Sequence, residues 1–280
     1  MKRIEGRVAV VTGAASGIGR ATAIQLAREG AHLALVDVNE RGLDETRGEI
    51  ERLGRRATTH DCDVADRARV ESLVREVEAA HGQVHILMNN AGVAVSGTFE
   101  DQPLEDFHWL MGINFWGVVH GCKLFLPVLR RADEAHIVNV SSVFGLMGMP
   151  LNSSYCASKF AVYGLSESLR AELSDSAIGV TSVHPGGIAT NIVNAARFVG
   201  GAEAKELQAN AARSFQRMLP PEKAARSIVR GIRKNAHRVL ITREAYLIDA
   251  AKRVFPSLSA DVVAKRWRSA LPTLLDRVAR

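Results

Sequence analysis

Short, unbroken aliphatic runs alternate with longer amphipathic stretches through the first half of the chain. The runs VAVV, HLALV, HILM and HIVNV predict strands within 8–12, 32–37, 86–89 and 135–141, with further strands at 57–61, 179–184 and near 238–242. Between them, patterns such as 17–29 and 67–81 predict helices. A strand that is apolar on both faces belongs in a sheet covered on both sides, and crossover helices supply that cover only when the strands run parallel. The pattern therefore predicts an α/β fold built on one doubly wound parallel β-sheet, with the whole chain, 1–280, as a single domain.

The character changes after Asn191. Residues 191–219 are rich in small residues with weak periodicity and read as a helical flap over a site. PPEKAARSIVRGI then opens with prolines before an amphipathic pattern, which suits a helix start. The stretch 243–280 reads as a helical C-terminal extension. It is more apolar than a solvated tail needs, so it is expected to pack on the core, on a partner subunit or beside a lipophilic substrate.

Composition narrows the class. Hydrophobic residues make up 47% and charged residues 24%, and no uninterrupted run of about 18 apolar residues offers a membrane span. The N-terminal MKRIEGRVAVV has too short an apolar run for a signal peptide, so a cytoplasmic protein is expected. Cys62, Cys122 and Cys156 form no CxxC pair and have no metal-like spacing, so no metal is expected and Cys156 reads as a small buried hydrophobe. The net charge of +6 is uneven: from Pro220 onward 14 Lys/Arg face 5 Asp/Glu, a balance of +9 that leaves −3 for the rest. The basic tail reads as a solvated helical face in preference to a peripheral membrane contact, and without a recognised module it predicts no nucleic-acid binding.

Candidate chemistry begins where the first strand ends. VAVVT runs into Gly13-Ala14-Ala15-Ser16-Gly17-Ile18-Gly19, after which the pattern turns helical. Glycines are needed where the backbone turns sharply and approaches a pyrophosphate, whose charge the free N–H groups of a helix N-terminus meet. Asp37 closes the second strand 18 residues beyond Gly19, where a carboxylate can accept from both hydroxyls of an adenosine ribose and repel a 2′-phosphate. This favours NAD over NADP, although Arg20 and Arg41 are cations that could pair with a 2′-phosphate. Asp63-Val64 and Asn90 stand at the ends of the third and fourth strands, where ligands of open α/β sheets bind.

The stretch YCASK places Tyr155 and Lys159 four residues apart, on one face of a helix. A nearby cation favours a phenolate, which suits Tyr155 to general acid/base work. Thirteen residues earlier Ser142 ends a strand, and its hydroxyl can donate to a substrate oxygen beside the tyrosine. Asn114, a polar residue on an apolar helix, could hold a water that relays protons to Lys159. The turn Pro185-Gly186-Gly187-Ile188-Ala189-Thr190 could cover a nicotinamide.

In this combination and order the chain resembles the short-chain dehydrogenase/reductase family. The elements are TGAASGIG at 12–19, Asp63-Val64, NNAG at 89–92, Asn114, Ser142, YxxxK at 155–159 and PGGIAT at 185–190. The resemblance implies a Rossmann-type fold and an Asn114-Ser142-Tyr155-Lys159 tetrad. In it Ser142 positions the substrate oxygen, Tyr155 exchanges its proton, Lys159 binds the nicotinamide ribose and Asn114 anchors the relay. Hydride transfer at nicotinamide C4 and a homodimer or homotetramer are implied as well. The longer C-terminus departs from a minimal member.

These readings predict an oxidoreductase acting on a secondary alcohol or ketone. Ile192, Val193, Phe198, Val199, Phe215, Met218 and Leu219 point to a bulky lipophilic substrate. The alternatives are an NADP(H)-dependent carbonyl or ketoacyl reductase and, in another class, a non-catalytic NAD(H) redox sensor. Retention of the Tyr/Lys pair argues against the sensor.

Overall fold

A computed structural model describes residues 1–200, 208, 209, 213 and 218–270, the side chains of 266–270 aside. Its centre is a seven-stranded sheet. The strands are β1 (Val8–Thr12), β2 (His32–Asp37), β3 (Ala57–Asp61), β4 (Ile86–Asn89), β6 (Ala135–Val140), β7 (Ile178–Pro185) and β9 (Arg238–Ile241). They lie in the order β3-β2-β1-β4-β6-β7-β9, and every neighbouring pair is parallel. The doubly wound parallel sheet is as expected. The strand order reverses between β1 and β4, the kind of switch point at which a crevice opens beyond the carboxyl ends of the strands.

The strands read as continuous apolar runs because alternate residues enter two different cores. Ala9 and Val11 of β1 join Leu33, Leu35 and Leu26, together with Ile228 and Ile232 of a later helix, on one face. Val10 joins Ala34, Val36, Leu73, Val77 and Phe125 on the other. Helices α1 (Gly17–Arg28), α2 (Glu40–Arg52) and α3 (Arg67–His81) fill the first crossovers. Two of these have local start signals: Asn39 accepts from the Gly42 N–H and Asp66 from the Arg69 N–H. Gly82, at φ +75°, ends α3 in a backbone conformation that side chains resist.

A long helical run follows, made of α4 (Leu104–Met111), a π-helical turn (Gly112–Trp116) and α5 (Gly117–Leu129). Among the described residues, Leu104–Leu129 is the one helix long and apolar enough to cross a membrane by length and composition. Its parts pack against β4, α3 and α6 (Ser153–Glu172), as a core helix does. Helix α7 (Pro221–Arg233) packs on α1 and begins behind Pro220, as the prolines indicate.

The flap region departs from expectation. Arg197–Phe198 (β8) pairs in parallel with Val95–Ser96 (β5) as a two-stranded ribbon, and not as a helix. Two residues are too few to give a period of two, so neither strand stood out in the sequence. Residues 208, 209 and 213 are helical, whereas Phe215 lies outside the described residues. The extension forms α8 (Arg243–Val254) and α9 (Pro256–Ala270), and residues 271–280 lie outside the described residues. Ala245 is buried, but Tyr246, Leu247, Val254, Phe255, Leu258 and Val262 are exposed, so among the described side chains most of the extension's apolar surface does not pack on the core.

Burial sets an acid limit on stability. It pushes the imidazole of His81 down to about 4 and that of His136 down to about 3. Unfolded, each titrates near 6.5, so below that pH the unfolded chain binds more protons than the folded one. The stabilisation is complete above pH 6.5 and is lost as pH falls toward the folded values. The melting temperature should therefore decline from pH 6.5 to 5, above the carboxylate range. In calorimetry His136→Asn should flatten that slope, and an equally steep slope would refute this account.

Candidate active site

The glycine turn joins β1 to α1 at the switch point. Gly13 and Gly17 take φ of +67° and +55°, a region open mainly to glycine. A Cβ on Gly13 would stand 2.6 Å from Asn90 Nδ2, and one on Gly17 3.1 Å from Thr190 Cγ2. At Gly19 a Cβ would run into the Gly13 carbonyl oxygen. Ser16 is the N-cap of α1 in extended backbone, yet its side chain makes no capping hydrogen bond, and Ile18 packs against the core beside it. The first amide N–H groups of α1 thus have no side-chain cap.

Asp37 lies beside this turn. Its carboxylate accepts from the Ala15 N–H at 3.0 Å and from the Asn39 N–H at 3.1 Å. Arg20 is held by Glu45 at 3.1 Å and Glu49 at 2.6 Å, and Arg41, exposed on α2, lies 3.4 Å from Glu45. Asn90 supports the turn from below: its side-chain amide donates to the carbonyls of Thr12 at 2.9 Å and Gly13 at 3.2 Å. Thr12 Oγ1 accepts from the Asn90 and Ala91 N–H groups, a support that spacing alone did not indicate. Asp63 is exposed and accepts from the Ala65 N–H, while buried Val64 gives its carbonyl to His120 Nδ1 at 3.0 Å.

Tyr155, Lys159, Ser142 and Asn114 converge on the carboxyl ends of β4 and β6. Ser142 caps a short 3₁₀ turn, accepting from the Phe144 N–H at 3.1 Å, and its hydroxyl acts on the nearby Tyr155 phenol to lower its pKa. Phe144 meets the tyrosine ring edge-on. Lys159 is buried, donates from Nζ to the Val140 carbonyl at 2.9 Å, and lies 5.6 Å from the Tyr155 ring centroid. Burial pushes its ammonium down to about 8.

The phenol does not titrate as the sequence suggests. Burial pushes Tyr155 up to about 12, the Ser142 hydrogen bond pulls the other way, and the raising effect wins. With Nζ turned to Val140, the lysine contributes too little beside the tyrosine to reverse it.

Asn114 is fully buried on the π-helical turn, a local widening of the helix that often accompanies function. Its Oδ1 accepts from the Val93 N–H at 2.8 Å, and its Nδ2 donates to the Val93 carbonyl at 3.0 Å and to Ser158 Oγ at 3.2 Å. Asn114 Oδ1 and Lys159 Nζ both flank Gly92, 3.2 and 3.5 Å from where a Cβ would sit. Ser158 and Ser141 are participants that the motif spacing missed. Ser158 Oγ donates to the Tyr155 carbonyl at 2.8 Å, and Ser141 Oγ donates to the Lys159 carbonyl at 2.7 Å. Both are small polar residues in apolar settings, the signal by which they could have been found.

Pro185 ends β7, and the N–H of the next residue, Gly186, is bonded to the Ile241 carbonyl. Ile188 is buried and bridges to Leu219, while Thr190 reaches Gly17. The turn after β7 therefore meets the glycine turn. Nearby, the Arg197 guanidinium lies 3.6 Å from the Trp109 ring centroid and pairs with Asp106, which ties the β5–β8 ribbon to α4. The thiols of Cys62, Cys122 and Cys156 are all buried, and burial raises each of them.

Comparison with known proteins agrees with this fold and arrangement. The family model for short chain dehydrogenases matches residues 7–198. The Mycobacterium tuberculosis protein SadH is 41% identical over 269 residues, covering 94% of this chain and 96% of its own. Estradiol 17-beta-dehydrogenase 11 of Rattus norvegicus is 31% identical over 95% of this chain and 85% of its own. A short chain dehydrogenase/reductase of Burkholderia phymatum, solved in complex with NAD, superposes with a TM-score of 0.87 at 30% identity, over 92% of this chain and 96% of that one. The chain belongs to the short-chain dehydrogenase/reductase family of oxidoreductases.

Proposed function

We propose that the protein is an NAD(H)-dependent oxidoreductase that interconverts a secondary alcohol and a ketone, with Tyr155 as general acid/base. What carries this reading is the convergence of the Ser142 hydroxyl, the Tyr155 phenol and the Lys159 ammonium at strand ends beside the glycine turn. The turn fits a dinucleotide: its glycines leave space where side chains would intrude, and the start of α1 has no side-chain cap. Gly13, Ser16, Gly17, Ile18 and Gly19 would hold the pyrophosphate, Asp37 the adenosine ribose, Asp63 and Val64 the adenine end, and Tyr155 and Lys159 the nicotinamide ribose. Asn90 would brace the turn from below, and Pro185, Gly186, Ile188 and Thr190 would cover the nicotinamide. When bound, the nicotinamide supplies or accepts the hydride.

The side chains handle the proton. Ser142 and Tyr155, close enough for the one hydroxyl to lower the other's pKa, present two hydroxyls to one substrate oxygen. In oxidation Tyr155 takes the alcohol proton, and in reduction it returns one to the ketone oxygen. Turned from Val140 toward the phenol, the Lys159 cation would lower the phenol's pKa into a useful range. Asn114, fixed on both groups of Val93, keeps the end of β4 and the Ser158 side of α6 in register.

The preference for NAD rests on Asp37 beside the turn and on the acidic partners that occupy Arg20 and Arg41. Asp37→Ala should raise the NADP-to-NAD ratio of kcat/KM by about 10–100-fold, the worth of one charged hydrogen bond. An unchanged ratio would refute the assignment.

A bulky lipophilic substrate is supported by Ile192, Val193, Phe198, Val199, Met218 and Leu219 beside the β7 turn, and by the estradiol dehydrogenase among the relatives. Exposed Trp116 and Phe160, on packed neighbouring elements, support assembly as a homodimer or homotetramer. The test is a panel of secondary alcohols and ketones, steroids and ketoacyl esters included, followed by nicotinamide absorbance with NAD and NADP in parallel. Turnover with NAD on bulky members is the expected result; NADP-only reduction of ketoacyl esters, or binding of NADH without any turnover, would overturn it.

A further inference from the structure

His184 sits at the end of β7, where an apolar strand has no local need of a polar ring, and it is fully buried. Its Nδ1 lies 3.2 Å from the Ser142 carbonyl oxygen and its Nε2 3.0 Å from Ser182 Oγ. The ring meets Tyr163 edge-on, with centroids 4.9 Å apart at 87°. Tyr163 follows Lys159 by one helical turn and Tyr155 by two, so it belongs to the same face of α6. One imidazole thus touches the residue carrying the Ser142 hydroxyl and the helix carrying Tyr155 and Lys159. It also directly precedes Pro185-Gly186, the turn proposed to cover the nicotinamide.

The hydrogen bonding fixes the tautomer. A carbonyl oxygen only accepts, so Nδ1 must carry the proton. Burial pushes the imidazole down to about 4, which leaves one ring proton at neutral pH. Nε2 is then a bare acceptor, and the Ser182 hydroxyl donates to it. The charged groups nearest the ring, Arg238 and Asp249, act on it with opposite sign and are paired to each other at 2.9 Å.

We propose that His184, as its Nδ1–H tautomer, is a positioning residue that clamps the Ser142 carbonyl and so aims the Ser142 hydroxyl at Tyr155. This rests on the tetrad reading above. The Ser142 hydroxyl is held by the Phe144 N–H, and its carbonyl is shared between the Gly145 N–H of the 3₁₀ turn at 2.9 Å and this clamp from β7. Without the clamp the Ser142 carbonyl keeps the Gly145 N–H at 2.9 Å but loses its tie to β7, so the peptide can tilt about the 3₁₀ turn, the hydroxyl shifts from the phenol, and the phenol's pKa climbs further because that hydroxyl holds it down.

The test uses the full chain. In protein labelled with ¹⁵N-histidine, the His184 ring should show a protonated Nδ1 and a bare Nε2, unchanged between pH 5.5 and 8.5; the opposite tautomer overturns the proposal whether or not any variant folds. On an alcohol found in the substrate panel, His184→Phe should lower kcat by about 10–100-fold, the scale of a misaimed catalytic group. Its KM for NAD and its NADH Kd should change by less than about twofold, and the acid limb of alcohol oxidation should move to higher pH. His184→Asn, which keeps a nitrogen donor near the Nδ1 position, should recover most of kcat and the original limb. An unchanged kcat and limb in His184→Phe, or equal loss in both variants, overturns the clamp. The tetrad reading fails separately, if Tyr155→Phe retains full turnover.

Discussion

Tyr155→Phe should lower kcat by about 10²–10⁴-fold, the usual worth of a general acid/base, while weakening NADH binding by no more than about tenfold, the worth of one ribose hydrogen bond. The substitution removes one oxygen and keeps the ring, so the edge-on contact with Phe144 survives. Ser142 keeps its bond from the Phe144 N–H, and Lys159 keeps its bond to Val140. The proton carrier is lost, with a single ribose contact. Stopped-flow rates and fluorescence titration with NADH separate the two effects. A variant that turns over at the wild-type rate would remove Tyr155 from the mechanism, and one that no longer binds NADH would make the residue chiefly a cofactor ligand.

Gly19→Ala should abolish measurable NADH binding and lower the melting temperature by several degrees. The added Cβ would meet the Gly13 carbonyl oxygen and Asn90 Nδ2, and the first of these is backbone. A flexible side chain could yield, but a carbonyl within the turn cannot move without shifting the turn itself. Overpacking of this kind costs about 1–3 kcal/mol, and for a chain of this size each kcal/mol is worth about 2–4 °C. The control is Gly48→Ala on α2, where a Cβ meets nothing within 4 Å and alanine is the better helix former. That variant should bind NADH normally and melt at the same temperature or slightly higher. If both variants behave alike, close packing at Gly19 is not what shapes the turn.

The sheet was legible in the sequence because its signals are local. β1, β2 and β4 fall on aliphatic runs and β3 on the expected 57–61, and both caps and glycines mark the helices between them. β6 ends at Val140, one residue short of the expected limit, although Ser141 still donates its N–H to the Val183 carbonyl of β7. The ribbon of β5 and β8 was not legible, since a two-residue strand exists only through its partner. At the candidate site, residue types and spacing identified which side chains meet. They did not show the direction in which those side chains act. Lys159 was expected to favour the phenolate, but its Nζ lies on Val140 and burial dominates at Tyr155. Asn90 was read as a cofactor contact, yet its amide hydrogens are directed to the Thr12 and Gly13 carbonyls. Such directions depend on tertiary packing, which a linear pattern does not contain.

The reversal of strand order also governs when the crevice can exist. Val8 is bonded to His85 across 77 residues of chain, and β1 pairs directly with β4. At about 5–20 residues per second on the ribosome, β1 waits roughly 4–15 s for that partner to emerge. Until then the glycine turn has neither Asn90 beneath it nor Thr190 over it. The nascent N-terminal third must keep an aliphatic strand edge out of intermolecular pairing over that interval, and no nucleotide can assist its folding before β4 is made.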